Sequence, residues 1–305
     1  MKRTEFTAAA DDDGRRLDRV LKRLLPDLPL SVIYRGLRRG DIRLNGKKAV
    51  QSDLIQSGDG IQIVDMLLPA HNKTAQPPVR GPEPGTQPFS VILHTPDLLF
   101  INKPAGYSIQ GRNDLTPLVL PLVKTETSLS FRPGPLHRLD MQTTGVVCYS
   151  VSLRGARWFS SALAEHRLEK YYLGIAEGSL DGPEDWQDRD EDGILSHTAV
   201  IPVARAVLGK TPVTLFQYRI LTGRKHQIRK QSAAHGLPLF GDRQYNPGSA
   251  GSRYYLHAWQ LRFPAHPELP LPDSVEAPLP HALIRFISDE FGQDVLATID
   301  TGHVY

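Results

Sequence analysis

Between Met66 and Pro88 the chain can build neither a helix nor a central strand. Pro69, Pro77, Pro78, Pro82, Pro84 and Pro88 fall there together with Gly81 and Gly85. Each proline removes a backbone donor and locks φ, so the stretch reads as a semi-extended linker. It divides the 305 residues into a small piece and a large one. The expected organisation is a module over 14–65, a linker over 66–88 and a domain over 89–295.

The small piece is basic. From Arg15 to Lys48 there are eleven cations against three acids, although the whole chain carries only +3. Such a cluster is the electrostatic footprint of a polyanion partner. Leu17, Val20, Leu21, Leu24 and Leu25 recur at helical spacing, and Pro26 and Pro29 stop that helix. Ser31 is the expected N-cap of a second helix, which Gly40 closes. Its outer face carries Arg35, Arg38 and Arg39. Ile42-Arg43-Leu44, the turn Asn45-Gly46 and Lys47-Lys48 form a hairpin, and Ile61 with Ile63 marks a last strand. Arg35, Arg38, Arg39, Arg43, Lys47 and Lys48 are the expected contacts to that polyanion, forks and ammonium groups suited to phosphate.

One cysteine, Cys148, lies in an apolar run, so no disulfide can form within the chain and a reducing compartment is expected. The start of the chain lacks the apolar core of a signal peptide and meets Asp11-Asp12-Asp13 early. No apolar run approaches the ~20 residues of a membrane helix. A cytoplasmic protein without membrane contact is expected, a monomer by default.

The large piece has many strand-like runs and few helices. Strands are expected at 91–93, 98–101, 146–149, 171–176, 198–201, 204–207, 213–221 and 254–263. Helices are expected at 154–167, 228–234 and 283–291, and an acidic surface loop at 181–192. This pattern argues for a mixed, mostly antiparallel sheet, hence an α+β fold.

Some motifs are set aside. Ala204 to Thr211 fits a relaxed P-loop, but Pro212 and a β-rich run follow where a helix is required. The histidines show no tight metal spacing, so no metal site is expected. His137, His226 and His257 read as orienting or packing residues rather than metal ligands.

Two cation-rich stretches carry the chemistry. The first is His137-Arg138-Leu139-Asp140, followed by Thr143-Thr144-Gly145. The second is Thr222-Gly223-Arg224-Lys225-His226-Gln227-Ile228-Arg229, which runs on to Gly241-Asp242-Arg243-Gln244-Tyr245. With Asn102-Lys103-Pro104-Ala105-Gly106 and Glu169-Lys170-Tyr171-Tyr172, they lie in order across about 90–260. Taken together the chain resembles the RluA-type pseudouridine synthases, which modify ribosomal and transfer RNA. Tyr34 to Gly46 similarly resembles the RNA-binding module first known from ribosomal protein S-four.

The resemblance implies the pseudouridine synthase fold and a reaction that breaks an N-glycosidic bond, turns the uracil and rejoins it through carbon. That reaction has no redox step and no group donor, so no cofactor is expected. Asp140 matches the catalytic aspartate, Arg229 its partner cation, and Tyr172 the tyrosine that stacks on the flipped base. Arg138 resembles the arginine that fills the gap left in the RNA. His137, Thr144, Arg224, His226, Gln227 and Ile228 complete the expected substrate contacts. Gln231 stands where family members commonly have His, Thr144 where Ser is usual and Gly174 where Ala is.

The implied substrate is ribosomal RNA of the large subunit, with transfer RNA as the alternative. A non-catalytic RNA-binding assembly protein would use the basic module alone. A glycoside-type hydrolase would need a second carboxylate near Asp140.

Overall fold

The structure is a computed structural model, and it describes residues 2–68, 87–123, 128–264 and 269–300. Most of the expected linker, residues 69–86, lies outside them. No helix among the described residues is long and apolar enough to cross a membrane.

The first 67 residues build a four-stranded antiparallel sheet with two helices. Its elements are β1 (Arg3–Thr7), α1 (Leu17–Leu24), α2 (Leu30–Arg39), β2 (Ile42–Leu44), β3 (Lys47–Lys48) and β4 (Gly60–Val64). The sheet order is β1-β4-β2-β3. Leu17, Leu21, Ile33, Ile42, Ile61 and Ile63 are fully buried between helices and sheet. Asn45 and Gly46 both have positive φ, the geometry a two-residue hairpin turn requires.

Two expectations change here. The cap position of α2 is Pro29, and Ser31 lies inside the helix without a capping bond. Proline fixes φ ahead of the first turn and so defines the start by itself. Strand β1 was not expected at all. It pairs only with β4 and is mostly exposed, so it carries no alternating apolar signal.

The large sheet contains β5 (Ser90–His94), β6 (Leu98–Lys103), β7 (Thr144–Ser150), β8 (Glu169–Glu177), β9 (Glu184–Arg189), β10 (Leu195–Leu208), β11 (Thr211–Ile220), β12 (Leu256–Arg262) and β13 (Ser274–Glu276). Its order is β5-β6-β7-β12-β8-β11-β10-β9, with β13 paired to β12. The described pairings are antiparallel except β7 with β12. This is the mixed sheet expected. Helices α3 (Thr116–Val119), α4 (Leu153–Ala164), α5 (Gln227–Ala234), α6 (His281–Glu290) and α7 (Gln293–Asp300) complete the chain. Alternation along the strands divides the core between two faces. Val147, Tyr149 and Tyr172 pack on one side. Val146 and the buried Cys148 pack on the other under α4, and Tyr171 packs there with Leu283 and Ile287 of α6.

The acidic stretch at 181–192 is not a solvated loop throughout. Glu184–Arg189 forms β9, which ladders onto β10. Trp186, only 2% exposed, anchors it and stacks on His235 at 4.5 Å. One apolar residue among charges is a weak sequence signal, and the backbone ladder supplies the rest. The strands expected at 198–201 and 204–207 are one strand, β10, with an irregular register between Pro202 and Ala204. Residues 204–211 lie in the β10–β11 hairpin, as the rejection of a P-loop required.

Candidate active site

Asp140 lies on the loop just before β7, where the sheet delivers it to a small cavity. Thr143 N–H donates to the Asp140 carbonyl at 3.1 Å and closes the turn. Gly145, at φ 115°, follows because β12 runs alongside: a Cβ there would collide with the Ala258 backbone. From the other side Lys103 pins the loop. Its side chain is fully buried, and Nζ donates to the carbonyls of Tyr107 at 2.7 Å, Pro104 at 2.9 Å and Met141 at 3.1 Å. Gly106 N–H reaches the same Met141 carbonyl at 2.9 Å. The Lys-Pro-x-Gly turn, which the sequence reading left without a role, thus holds the residue next to Asp140. Burial lowers the Lys103 pKa to about 7, with the nearby Asp140 charge acting against the fall.

The cavity, of about 70 Å³, is lined by Arg138, Leu139, Asp140, Thr143, Tyr172, Ile220, Arg224, His226, Gln227, Ile228, Arg229 and Leu256. A second cavity of about 400 Å³ adjoins it. Arg138, Asp140, Tyr172, Ile220, Arg224 and His226 line both, and His137, Lys170 and Lys225 belong to the second. Among the described residues lining the two, Asp140 is the only carboxylate. The paired acids of a glycoside hydrolase are therefore missing from this surface.

Two partners face Asp140. Arg229 Nη1 donates to Oδ2 at 3.4 Å, and His226 Nε2 stands 3.5 Å from Oδ1. Both come from the start of α5, 86 to 89 residues along the chain. Arg229 is more tightly held from behind. Its Nε and Nη2 donate to Asp242 at 2.7 and 2.8 Å, Nη2 also reaches Gln244 Oε1 at 3.1 Å, and Tyr245 and Tyr254 lie against the guanidinium at 5.0 and 4.6 Å. Burial alone would lower its pKa, but Asp242, Tyr254 and Asp140 raise it, so it stays charged.

His226 occupies the left-handed region at φ 56°, a conformation held at some strain for a side chain that the site uses. Burial lowers its pKa. Asp140 opposes that, and Arg229, Lys225 and Lys230 push it further down. Tyr172 projects from β8 into the cavity while Tyr171 points to the opposite face, where its hydroxyl donates to Glu169 at 2.9 Å. Tyr172, the member picked out by Lys-x-Tyr spacing, is thus the one of the pair that faces the cavity. Burial first, and the Asp140 charge second, raise the Tyr172 pKa. Its hydroxyl therefore keeps its proton at neutral pH.

The structure brings Asp140, Tyr172, Arg229, Arg138, Arg224, His226, Gln227 and Ile228 to the small cavity. It does not bring Thr144, whose hydroxyl binds His257 Nδ1 at 2.8 Å behind the loop; Thr143 lines the cavity instead. His137 reaches only the wider cavity, accepts from Cys148 N–H at 3.0 Å and stacks on Phe159. Gln227 lines the cavity, yet its amide is committed. It accepts from Thr222 and Arg224 N–H and donates to Thr198 and the His197 carbonyl. It braces the loop rather than offering a free group. Gln231 is likewise a buried brace, accepting from Thr198 and donating to Asp188 at 2.6 Å each. Asp242, Gln244, Tyr245, Tyr254 and Lys103 received no role from the sequence, although Gly241 to Tyr245 directly follows the second motif.

Far along the chain, Arg35, Arg38, Arg39, Lys47 and Lys48 are all exposed on α2 and the β2–β3 hairpin. Arg43 is half-buried, and its Nε donates to the Gly40 carbonyl at 3.2 Å.

The site is thus one loop-borne carboxylate, faced by a buried guanidinium and a tyrosine at the lip of a mixed sheet. The family model described as RNA pseudouridylate synthase matches residues 97–234. Ribosomal large subunit pseudouridine synthase C of Vibrio vulnificus is 26% identical over 307 residues, covering 91% of this chain and 94% of that protein. The protein of the same name from Escherichia coli K12 is 28% identical over 312 residues, 90% and 93% of the two chains. In fold, the chain is similar to human RNA pseudouridylate synthase domain containing 1, with a TM-score of 0.55 at 22% identity over 73% of this chain and 98% of that one. Human RNA pseudouridylate synthase domain containing 4 gives 0.52 at 21% identity, 65% and 91% of the two. Residues 97–234 thus match the RNA pseudouridylate synthase family, and the relatives, similar over 90–91% of this chain, agree with the resemblance to the RluA type.

Proposed function

We propose that this pseudouridine synthase isomerises uridines in large-subunit ribosomal RNA, with Asp140 as the catalytic carboxylate. The observation that carries the reading is the joint cavity in which Asp140 is the only acid among the described residues, with Arg229 at 3.4 Å and Tyr172 on the same wall. The target uridine must leave the RNA stack to reach Asp140. Tyr172 offers a flat, half-apolar surface to the extruded base. The exposed Arg138 at the mouth of both cavities is placed to enter the gap in the RNA. Arg229 holds the carboxylate, so that acid-base and nucleophilic work at the sugar and base falls to one group. No redox step arises: the N-glycosidic bond breaks, a carbon–carbon bond forms, and one proton moves from ring carbon to ring nitrogen.

We also infer that the basic unit before residue 68 is an RNA-docking module resembling that of ribosomal protein S-four. Its exposed Arg35, Arg38, Arg39, Lys47 and Lys48 support this. The choice of ribosomal RNA is supported by the names of the relatives from Vibrio vulnificus and Escherichia coli.

The test is incubation of the purified chain with unmodified large-subunit ribosomal RNA transcript, followed by mapping of pseudouridine with carbodiimide and primer extension. New stops are expected with the wild-type chain and none with Asp140→Asn, which still binds. Equal product from that variant overturns the assignment of Asp140. Product on transfer RNA alone overturns the ribosomal substrate.

A further inference from the structure

The partners of Asp140 are themselves held by one short segment, Asp242 to Tyr245. Asp242 is 1% exposed and takes Arg229 by Nε and Nη2. That bidentate grip leaves Nη1 facing Asp140. Nη2 is shared with the Gln244 side chain at 3.1 Å. A guanidinium only donates, so Gln244 must present its carbonyl oxygen there. Its NH₂ then points to the Tyr245 hydroxyl oxygen at 3.3 Å. That oxygen accepts from Gln244, and its own hydrogen is free for His226 Nδ1 at 3.0 Å. A neutral imidazole accepting at Nδ1 carries its hydrogen on Nε2. Nε2 is the atom 3.5 Å from Asp140 Oδ1. The circuit Asp140–Arg229–Gln244–Tyr245–His226–Asp140 therefore closes: the donor-only guanidinium sets its directions as far as the Tyr245 oxygen, and the last link, Tyr245 O–H donating to His226 Nδ1, is the assignment under test.

We propose that Asp242, Gln244 and Tyr245 are positioning residues: through this circuit they fix the face that Arg229 and the tautomer that His226 present to Asp140. Asp242 does so without entering either cavity. The strained φ of His226 fits the assignment, because its side chain is used in the circuit and not as a helix cap. Tyr245 adds packing, edge-on to the His226 ring at 5.9 Å and against Arg229.

The proposal rests on the pseudouridine synthase reading for its kinetic consequence but not for its tautomer. The full chain, labelled with ¹⁵N at histidine, reports the His226 tautomer by long-range proton–nitrogen spectra, with His226→Gln assigning the signal. The expected wild-type state is protonated at Nε2 and bare at Nδ1. Tyr245→Phe keeps the ring contacts and removes only the hydroxyl. It should release the tautomer to a mixture and lower kcat by about 10- to 100-fold, the scale of a misaimed catalytic group. KM for RNA should move less than about twofold, because the variant leaves the cavity lining intact. Asp242→Asn should lower kcat by at least as much. A wild-type His226 protonated at Nδ1 overturns the circuit, as does a Tyr245→Phe protein with unchanged tautomer or unchanged kcat. A wild-type chain that makes no pseudouridine on any RNA overturns the functional reading instead, and the spectra still judge the circuit.

Discussion

Arg229 and Asp140, 89 residues apart in the chain, meet at 3.4 Å through a single guanidinium nitrogen. The long, one-point contact is what remains after Asp242 has taken the other side of the fork. Asp140 is thereby accompanied by positive charge without being wrapped in short hydrogen bonds, which leaves its oxygens available to a substrate.

The first prediction follows from that division. Arg229→Ala removes the only ion-pair partner of Asp242 among the described residues, and that carboxylate is 1% exposed. An uncompensated buried charge costs about 3–5 kcal/mol. Urea unfolding should show that loss. Arg229→Lys keeps the charge but not the fork, and should recover part of the stability and little activity. An alanine variant as stable as wild type would contradict the pairing.

Lys103 gives a second prediction, in pH. Its folded pKa is lowered from 10.5 to about 7. Between those values the unfolded chain binds more protons than the folded one, so stability rises with pH across this window. Below about 7 both states hold the proton and the burial cost of the ammonium is present in full. Lys103→Met removes the titration. The stability difference, wild type minus variant, should therefore climb between pH 7 and 10 in urea unfolding. A flat difference would show that the three carbonyl acceptors hold the ammonium charged throughout.

What the sequence made legible, and what it hid, has a physical pattern. Asp140, Tyr172 and Arg229 could be named because each sits in a short motif that resembles the family's, and the fold brings the three motifs to one cavity. The α+β sheet could be named because short apolar runs rich in β-branched and aromatic residues, such as Val146 to Tyr149, stand out as strands buried on both faces. Asp242, Tyr245 and Lys103 were hidden because their roles exist only where distant segments meet. Thr144 was misplaced by a local reason. Thr143 ends the turn of Asp140 and Thr144 opens β7, and the motif does not say which of the two faces the cavity. Strand β9 was read as a loop because charged residues alternate around a single Trp186, and β1 was missed because nothing on it is deeply buried.

Asp12 supplies a third prediction, on how the two sheets are joined. It is fully buried and accepts from Ala9 N–H at 3.0 Å and Ser128 Oγ at 2.9 Å. Leu129 N–H at 2.9 Å, Ser130 N–H at 3.0 Å and the Ser130 hydroxyl complete its partners. Burial alone would raise its pKa, but these bonds together lower it. Its contribution is thus present above the ordinary value of 3.8 and lost as pH falls through the folded value. Asp12→Ala leaves buried N–H groups unpaired at about 1–3 kcal/mol each. The expected result in urea at neutral pH is an earlier first transition, in which the small sheet unfolds ahead of the large one. A single unchanged transition would mean that this contact does not couple them.

The last prediction concerns the basic surface of the small sheet. Arg38, Arg39, Lys47 and Lys48 are exposed, and none has an ion pair among the described residues. Arg3 joins them, donating to the Gly40 carbonyl at 3.1 Å. Charges that meet phosphates release counterions, so each lost contact should flatten log K against log salt by about 0.7 to 0.9. Replacing Arg38, Arg39, Lys47 and Lys48 by Gln should weaken binding alike for ribosomal and unrelated RNA, because phosphate contacts position without reading sequence. At saturating RNA the rate should hold, since the cavity around Asp140 is untouched. Filter binding at several salt concentrations measures the slope, and single-turnover assays measure the rate. An unchanged slope would remove this surface from the docking site, and a fallen saturated rate would place it in the chemistry instead.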